Sequence, residues 1–211
     1  MRPSSLLLSV LLACGGKGED SGAPIPQITG TVTIDGLEGE VALYRGFGMN
    51  AGGVMLGYLS SNPDADCDMI YDYLLASDEP YDPTGTVLPG TCDLFLRFSN
   101  YSGEVGGTDD PVAAAGIVMN CALGDGAFEL ETRDGDDTDY YWTGTWWQGR
   151  PTAFTFAMSG GDGEDFPFSL EMSAYDGNFI YEDMTARPGA GAVSGAMTIE
   201  WCSDLGSTGL I

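Results

Sequence analysis

The residues best suited to chemistry are carboxylates crowded into turns. Asp134-Gly135-Asp136-Asp137-Thr138-Asp139 gathers acids and backbone carbonyls around a glycine, and Asp162-Gly163-Glu164-Asp165 repeats the arrangement. Hard oxygen ligands on a tight turn suit Ca²⁺. Asp134, Asp136, Asp137, Asp139, Asp162 and Glu164 are therefore the candidate metal ligands, and Ca²⁺ is the one cofactor the chain suggests. If alternate turns of a meander share one end of the fold, the two clusters converge; Asp-Gly is also ordinary turn chemistry. A third cluster, Asp64-Ala65-Asp66-Cys67-Asp68, opens like an EF-hand loop. It fails as one, because Met69 stands where that loop needs glycine and Leu75 where it needs its closing Glu.

Aromatic residues form the second candidate site. Read as one strand, residues 140–147 place Tyr140, Trp142 and Trp146 on one face and Tyr141 and Trp147 on the other. A sheet wetted on one side leaves one of those faces open. An exposed Tyr/Trp pair beside carboxylates can stack on a sugar ring, as in carbohydrate-binding β-sandwiches, whereas a covering loop, helix or second sheet would bury it.

Other chemistry is excluded by composition. With no histidine, His-based triads and His-ligated metal sites are absent. The only lysine is Lys17, and no G-x-S-x-G marks a nucleophile. A carboxylate pair of the glycosidase kind remains. Among 32 acidic residues, a pair somewhere is certain and carries no weight.

The cysteines depend on compartment, which the N-terminus addresses. Met1-Arg2 supplies a positive charge, and the apolar run that follows is shorter than the roughly 20 residues needed to span a bilayer. A basic start, a short apolar core and a small residue at its end are the parts of a secretory signal. Leu11-Leu12-Ala13-Cys14 resembles the lipobox of bacterial lipoproteins. The resemblance covers residues 1–14 and implies cleavage before Cys14, acylation of its thiol and attachment to the membrane. Two or three acyl chains make a stable anchor where one is marginal. Gly15 at the next position, rather than Asp, points to the outer membrane. Residues 14–26 have the composition of a flexible tether.

Outside the cytoplasm the remaining Cys67, Cys92, Cys121 and Cys202 read as two disulfides with three possible connectivities. Sequence order favours Cys67–Cys92 with Cys121–Cys202. The formal net charge of −25 repels nucleic acid and anionic lipid. It suits cationic ligands or a salty medium that screens self-repulsion.

Residues 27–211 read as one domain. Residues 27–35, 40–47, 53–60, 91–99, 117–123, 128–130, 140–147, 154–158, 166–172, 179–184 and 193–202 show strand-like alternation. Turns are expected at 48–52, 148–151 and 175–178, and a polar loop at 100–111. One helix is expected over about 63–76, with Asn62 as cap, Pro63 at its first position and Cys67, Ile70, Tyr71, Leu74 and Leu75 on its buried face. Many short strands with Gly/Asp turns predict an all-β antiparallel sandwich or barrel carrying a single helix.

The chain thus reads as a signal peptide (1–13), a lipidated tether (14–26) and a β domain (27–211). The expected role is a lipid-anchored cell-envelope module, structural or ligand-binding, with Ca²⁺, a glycan or another envelope protein as the candidate partner. The alternative is a carboxylate-based glycan hydrolase.

Overall fold

The structure is a computed structural model describing residues 23–51, 53–75, 87–109, 116–132, 138–160, 163–179 and 183–207. Strands β1 (Ile28–Ile34), β2 (Leu37–Leu43), β3 (Arg45–Ala51) and β4 (Val54–Ser60) precede helix α1 (Cys67–Leu75). After it come β5 (Cys92–Ser99), β6 (Glu104–Thr108), β7 (Ile117–Leu123), β8 (Phe128–Thr132) and β9 (Thr138–Trp142). Three long strands, β10 (Thr145–Ser159), β11 (Phe166–Phe179) and β12 (Asp183–Trp201), complete the chain with a final 3-10 turn at Ser203–Ser207.

The fold is all-β with one helix, and it closes into a barrel. The order β11-β10-β7-β5-β4-β3-β12 becomes a seven-strand ring because β12 also pairs with β11. All these pairings are antiparallel except β3 with β12, where Ile199 lies opposite Gly46. The hairpin β1–β2 joins the middle of β12, and β6 joins the last part of β10. β8–β9 is a separate two-stranded hairpin between β7 and β10.

Alternation decides which side chains fill the barrel. Ile28, Val32 and Ile34 of β1, Leu94 and Leu96 of β5, and Phe154, Phe156 and Met158 of β10 all point into one buried cluster. The intervening positions of β10, β11 and β12 are Thr, Ser, Ala and Glu. An apolar interior with a polar exterior is the reverse of a transmembrane barrel. A second core lies outside the wall, where α1 and the 3-10 turn cover Phe47, Met49, Leu56 and Tyr58 of β3 and β4.

Local chemistry explains the element ends. Asp35 and Gly36, both at positive φ (51° and 81°), make the two-residue turn between β1 and β2, where Asp-Gly matches the strand twist. The helix begins later than its sequence pattern suggests. Asp66, not Asn62, is its cap and accepts the Met69 N–H at 2.9 Å. Asn62 is engaged in its own turn, accepting Asp64 N–H on its side chain and Ala65 N–H on its carbonyl. The expected helix end near residue 76 lies outside the described residues.

Two expected turns are continuous strand. Gln148-Gly149-Arg150-Pro151 runs through β10 and Tyr175-Asp176-Gly177-Asn178 through β11, where they pair with each other, Gly149 opposite Gly177. Gly189 of β12 sits beside them, opposite Tyr175. These residues form a bend across the long strands, with pairing irregularities at Pro151–Phe154 and Met172–Ala174. Bulges and glycines let a sheet curl enough to close. The space left by missing side chains is filled by rings: a Cβ on Gly149 would overlap Trp147, and one on Gly189 would overlap Tyr175. Trp147 and Tyr175 meet edge-to-face at 5.7 Å. Elsewhere, the expected strand 40–47 is broken at Tyr44 into β2 and β3, most of the expected turn 48–52 belongs to β3, and the loop 100–111 contains β6.

The disulfides are Cys67–Cys202 and Cys92–Cys121, which corrects the pairing expected from sequence order. Cys92 and Cys121 are cross-strand neighbours on β5 and β7 and both face the barrel interior. Cys67 and Cys202 lie in the outer core. The barrel wall separates the two sets.

Filling the bend with rings predicts that Gly149→Ala costs about 1–3 kcal/mol. This should be read as a lowered thermal midpoint, while Ser173→Ala on the exposed side of β11 stays within about 0.5 kcal/mol. Equal midpoints for the two variants would contradict this packing.

Candidate functional site

Cys14, Asp134, Asp136, Asp137 and Asp162 lie outside the described residues. Asp139, Tyr140 and Tyr141 lie on β9, opposite Glu131, Leu130 and Glu129. Glu164 is exposed in the turn between β10 and β11, and its neighbour Asp165 accepts the Trp201 N–H at 2.8 Å, tying that turn to the end of β12. Residues 133–137 at the tip of the β8–β9 hairpin and residues 161–162 lie outside the described residues, and the expected convergence of the two acidic turns falls there with them. Among the described residues no group of three or more metal-ligating side chains is gathered.

The aromatic run is broken at Thr143-Gly144 into β9 and β10 rather than forming one strand. Trp147 is wholly inside the barrel, and its buried indole N–H has no hydrogen-bond partner. Trp146 is 8% exposed, packed outside the wall with Val87 and Ala122. Trp142, half-buried against that group, retains an accessible edge. Neither Trp146 nor Trp147 offers a free face to a sugar.

The structure instead shows a polar cluster centred on Asp93, a residue alternation assigned to the solvent side of β5. Its side chain does point outward from the barrel, but it is fully buried. Asp93 Oδ2 accepts the Tyr58 hydroxyl at 2.9 Å and the Ser60 hydroxyl at 3.4 Å, and Oδ1 accepts the Ser61 N–H at 2.7 Å. Ser61 Oγ in turn accepts the Leu88 N–H at 3.3 Å and lies 2.8 Å from the Thr91 hydroxyl. Across the sheet Asp93 is opposite Asn120, and Asn120 is opposite Gln148, whose amide donates to it at 2.9 Å. The result is a polar row across β5, β7 and β10, sealed at Asp93 and open at Gln148.

Burial dominates the acidity of this carboxyl. Loss of water raises Asp93 to about 7, and the hydrogen bonds from Ser61, Tyr58 and Ser60 pull it only partly back. An acid poised near neutrality has the protonation a general acid needs. However, Asp93 is sealed from solvent and its hydrogen-bond partners are neutral, so it lacks both substrate access and a paired carboxylate. The one available signal in the sequence was an acid between the inward Cys92 and Leu94, next to a strand that a helix must cover.

Two shallow grooves of about 480 and 410 Å³ cross the outer face of β10–β12. Small side chains such as Ala157, Ser169 and Ala196 line the first, and Thr155, Ser173 and Ser194 the second. No family model, curated protein or solved structure matches the chain.

The Asp93 site sets a pH dependence. A folded-state value raised above the unfolded one means the native state holds the proton more tightly. This contribution to stability is complete below about pH 4 and is lost as pH rises through about 7. The difference in unfolding free energy between wild type and Asp93→Asn should therefore shrink by up to about 4 kcal/mol between pH 4 and 8, at about 1.4 kcal/mol per unit. Denaturant titrations at each pH measure it; a difference constant with pH would show that Asp93 is ionised throughout.

Proposed function

We propose that this chain is an exported lipoprotein whose acyl chains on Cys14 hold it to the membrane. Its barrel acts as a non-catalytic cell-envelope module that meets partners at its outer surface. The observation that carries this reading is the pair of disulfides in separate cores, Cys92–Cys121 inside the barrel and Cys67–Cys202 outside it. Structural disulfides persist in oxidising compartments, which agrees with the lipobox-like Leu11-Leu12-Ala13-Cys14. The interior supports the non-catalytic half of the reading: Trp147, Tyr175, Phe156 and Phe168 fill the space in which a ligand-carrying barrel would keep its cavity.

The outer surface is acidic and suits cationic groups, a neutral glycan or another envelope protein better than nucleic acid or anionic lipid. The accessible edge of Trp142, with Gln148 at the open end of the polar row, is the part of the aromatic segment a glycan could reach. The outer membrane is the proposed location.

Expression of the full chain in a Gram-negative host fed an alkyne-tagged fatty acid tests the anchor. Wild type should carry the label and sediment with membranes, and Cys14→Ser should lose both; label retained by Cys14→Ser would overturn the proposal. Ca²⁺ binding is tested by thermal melting of the domain in Ca²⁺, Mg²⁺ and NaCl at matched ionic strength. A saturable rise in Ca²⁺ alone indicates a native-state site, whereas an equal rise in all three means that salt merely screens the acidic surface.

A further inference from the structure

The barrel has one weak seam, and the buried carboxyl is wired to it. β1 and β2 pair along their whole length, but on its other side β2 meets the wall through a single bridge, Glu40 with Thr91. That bridge belongs to the turn at residues 88–91. Glu40 N–H donates to Gly90 O at 2.8 Å, Gly90 N–H to Ala122 O at 2.7 Å, and Ala122 N–H to Thr91 O at 3.1 Å. The turn therefore joins β2 to β7. Its contact with the rest of the outer core is Ser61, which holds Leu88 and Thr91 on one side while its own N–H is held by Asp93 on the other.

We propose that the seam between β2 and β5 is a proton-controlled latch, in which Asp93 acts through Ser61 on the turn at residues 88–91. When Asp93 is neutral the carboxyl sits in a dry site without an unpaired charge, and the cover over it stays closed. When it ionises, a desolvated carboxylate favours any fluctuation that admits water. The groups over it are the Ser60–Ser61 junction and, through Ser61, the turn carrying the bridge to β2. Loosening this cover opens the seam while β10, β11 and β12, paired along much of their length, stay intact.

The groups around Asp93 leave it as the titrating member. β4 contributes Tyr58, whose ring packs edge-on against Tyr73 of α1 at 5.2 Å. The β4–α1 junction contributes Ser60 and Ser61, the turn Thr91, and β7 Asn120. Among the described residues none of these is charged; Glu40, the carboxylate on the seam itself, is exposed to solvent. Burial holds Asp93 near 7, so the latch works across the neutral range.

Hydrogen exchange of the domain between pH 5.5 and 9, corrected for the intrinsic pH dependence, tests this. Protection of the Glu40, Gly90 and Ala122 amides should fall as pH rises from 5.5 towards 7, by up to about tenfold per unit, the limit for one proton, and level off above it, while amides of Phe168–Met172 in β11 do not change. Asp93→Asn should abolish the fall. Ser61→Ala should leave the seam poorly protected at every pH. A fall of equal slope in Asp93→Asn would overturn the proposal, as would constant protection in wild type. If Asp93→Asn does not fold, the wild-type Asp93 carboxyl can be titrated by ¹³C NMR. Its midpoint must coincide with the pH at which the protection loss levels off, and a mismatch between the two would also overturn the latch.

Discussion

Everything in this molecule depends on closing the sheet between its last two strands. β12 pairs with β11 on one side over most of its length, and on the other it serves β1 with its middle and β3 with its last residues. One strand thus completes the ring, carries the N-terminal hairpin and delivers Cys202 to the outer core. Closure removes the open edges that make a sheet prone to pair with other chains. It also creates a demand the rest of the chain must meet, since long strands must bend without breaking their pairing. The aligned glycines of β10, β11 and β12, with Trp147 and Tyr175 lying over two of them, are the solution.

That same demand explains which features were legible in the sequence. Strands with one dry and one wet face announce themselves by alternation, as β1 does. The long strands do not, because Gly149, Pro151 and Gly177 are the residues of a turn and also the residues of a barrel corner; only the neighbouring strands decide between the two. The helix showed the converse problem. Its buried residues kept the period of 3.6, but Asn62-Pro63 satisfied both a helix start and a simple turn, and the Asp66 side chain settled the matter by capping.

The cysteine pairing was misread, and Asp93 was not singled out, for a common reason. Both required knowing which side of the wall a residue occupies and what lies over it. Cys92 shares its face with Leu94 and Leu96, and Cys121 with Met119 and Leu123, so the two inward thiols were identifiable partners from alternation alone. Asp93 falls on the outward face, where an acid ordinarily meets water. It is buried because α1 and the turn at 88–91 cover that part of the exterior, a fact of tertiary packing that no local pattern contains.

A barrel with cores on both sides of its wall, each closed by its own disulfide, is the account's central claim, and peptide mapping of the non-reduced protein tests it most directly. The account predicts Cys67 linked to Cys202 and Cys92 linked to Cys121 in protein recovered from the cell envelope. Recovery of Cys67 linked to Cys92, or of free thiols at these positions, would contradict the strand pairing of β5 with β7 or the oxidising compartment on which the functional reading stands.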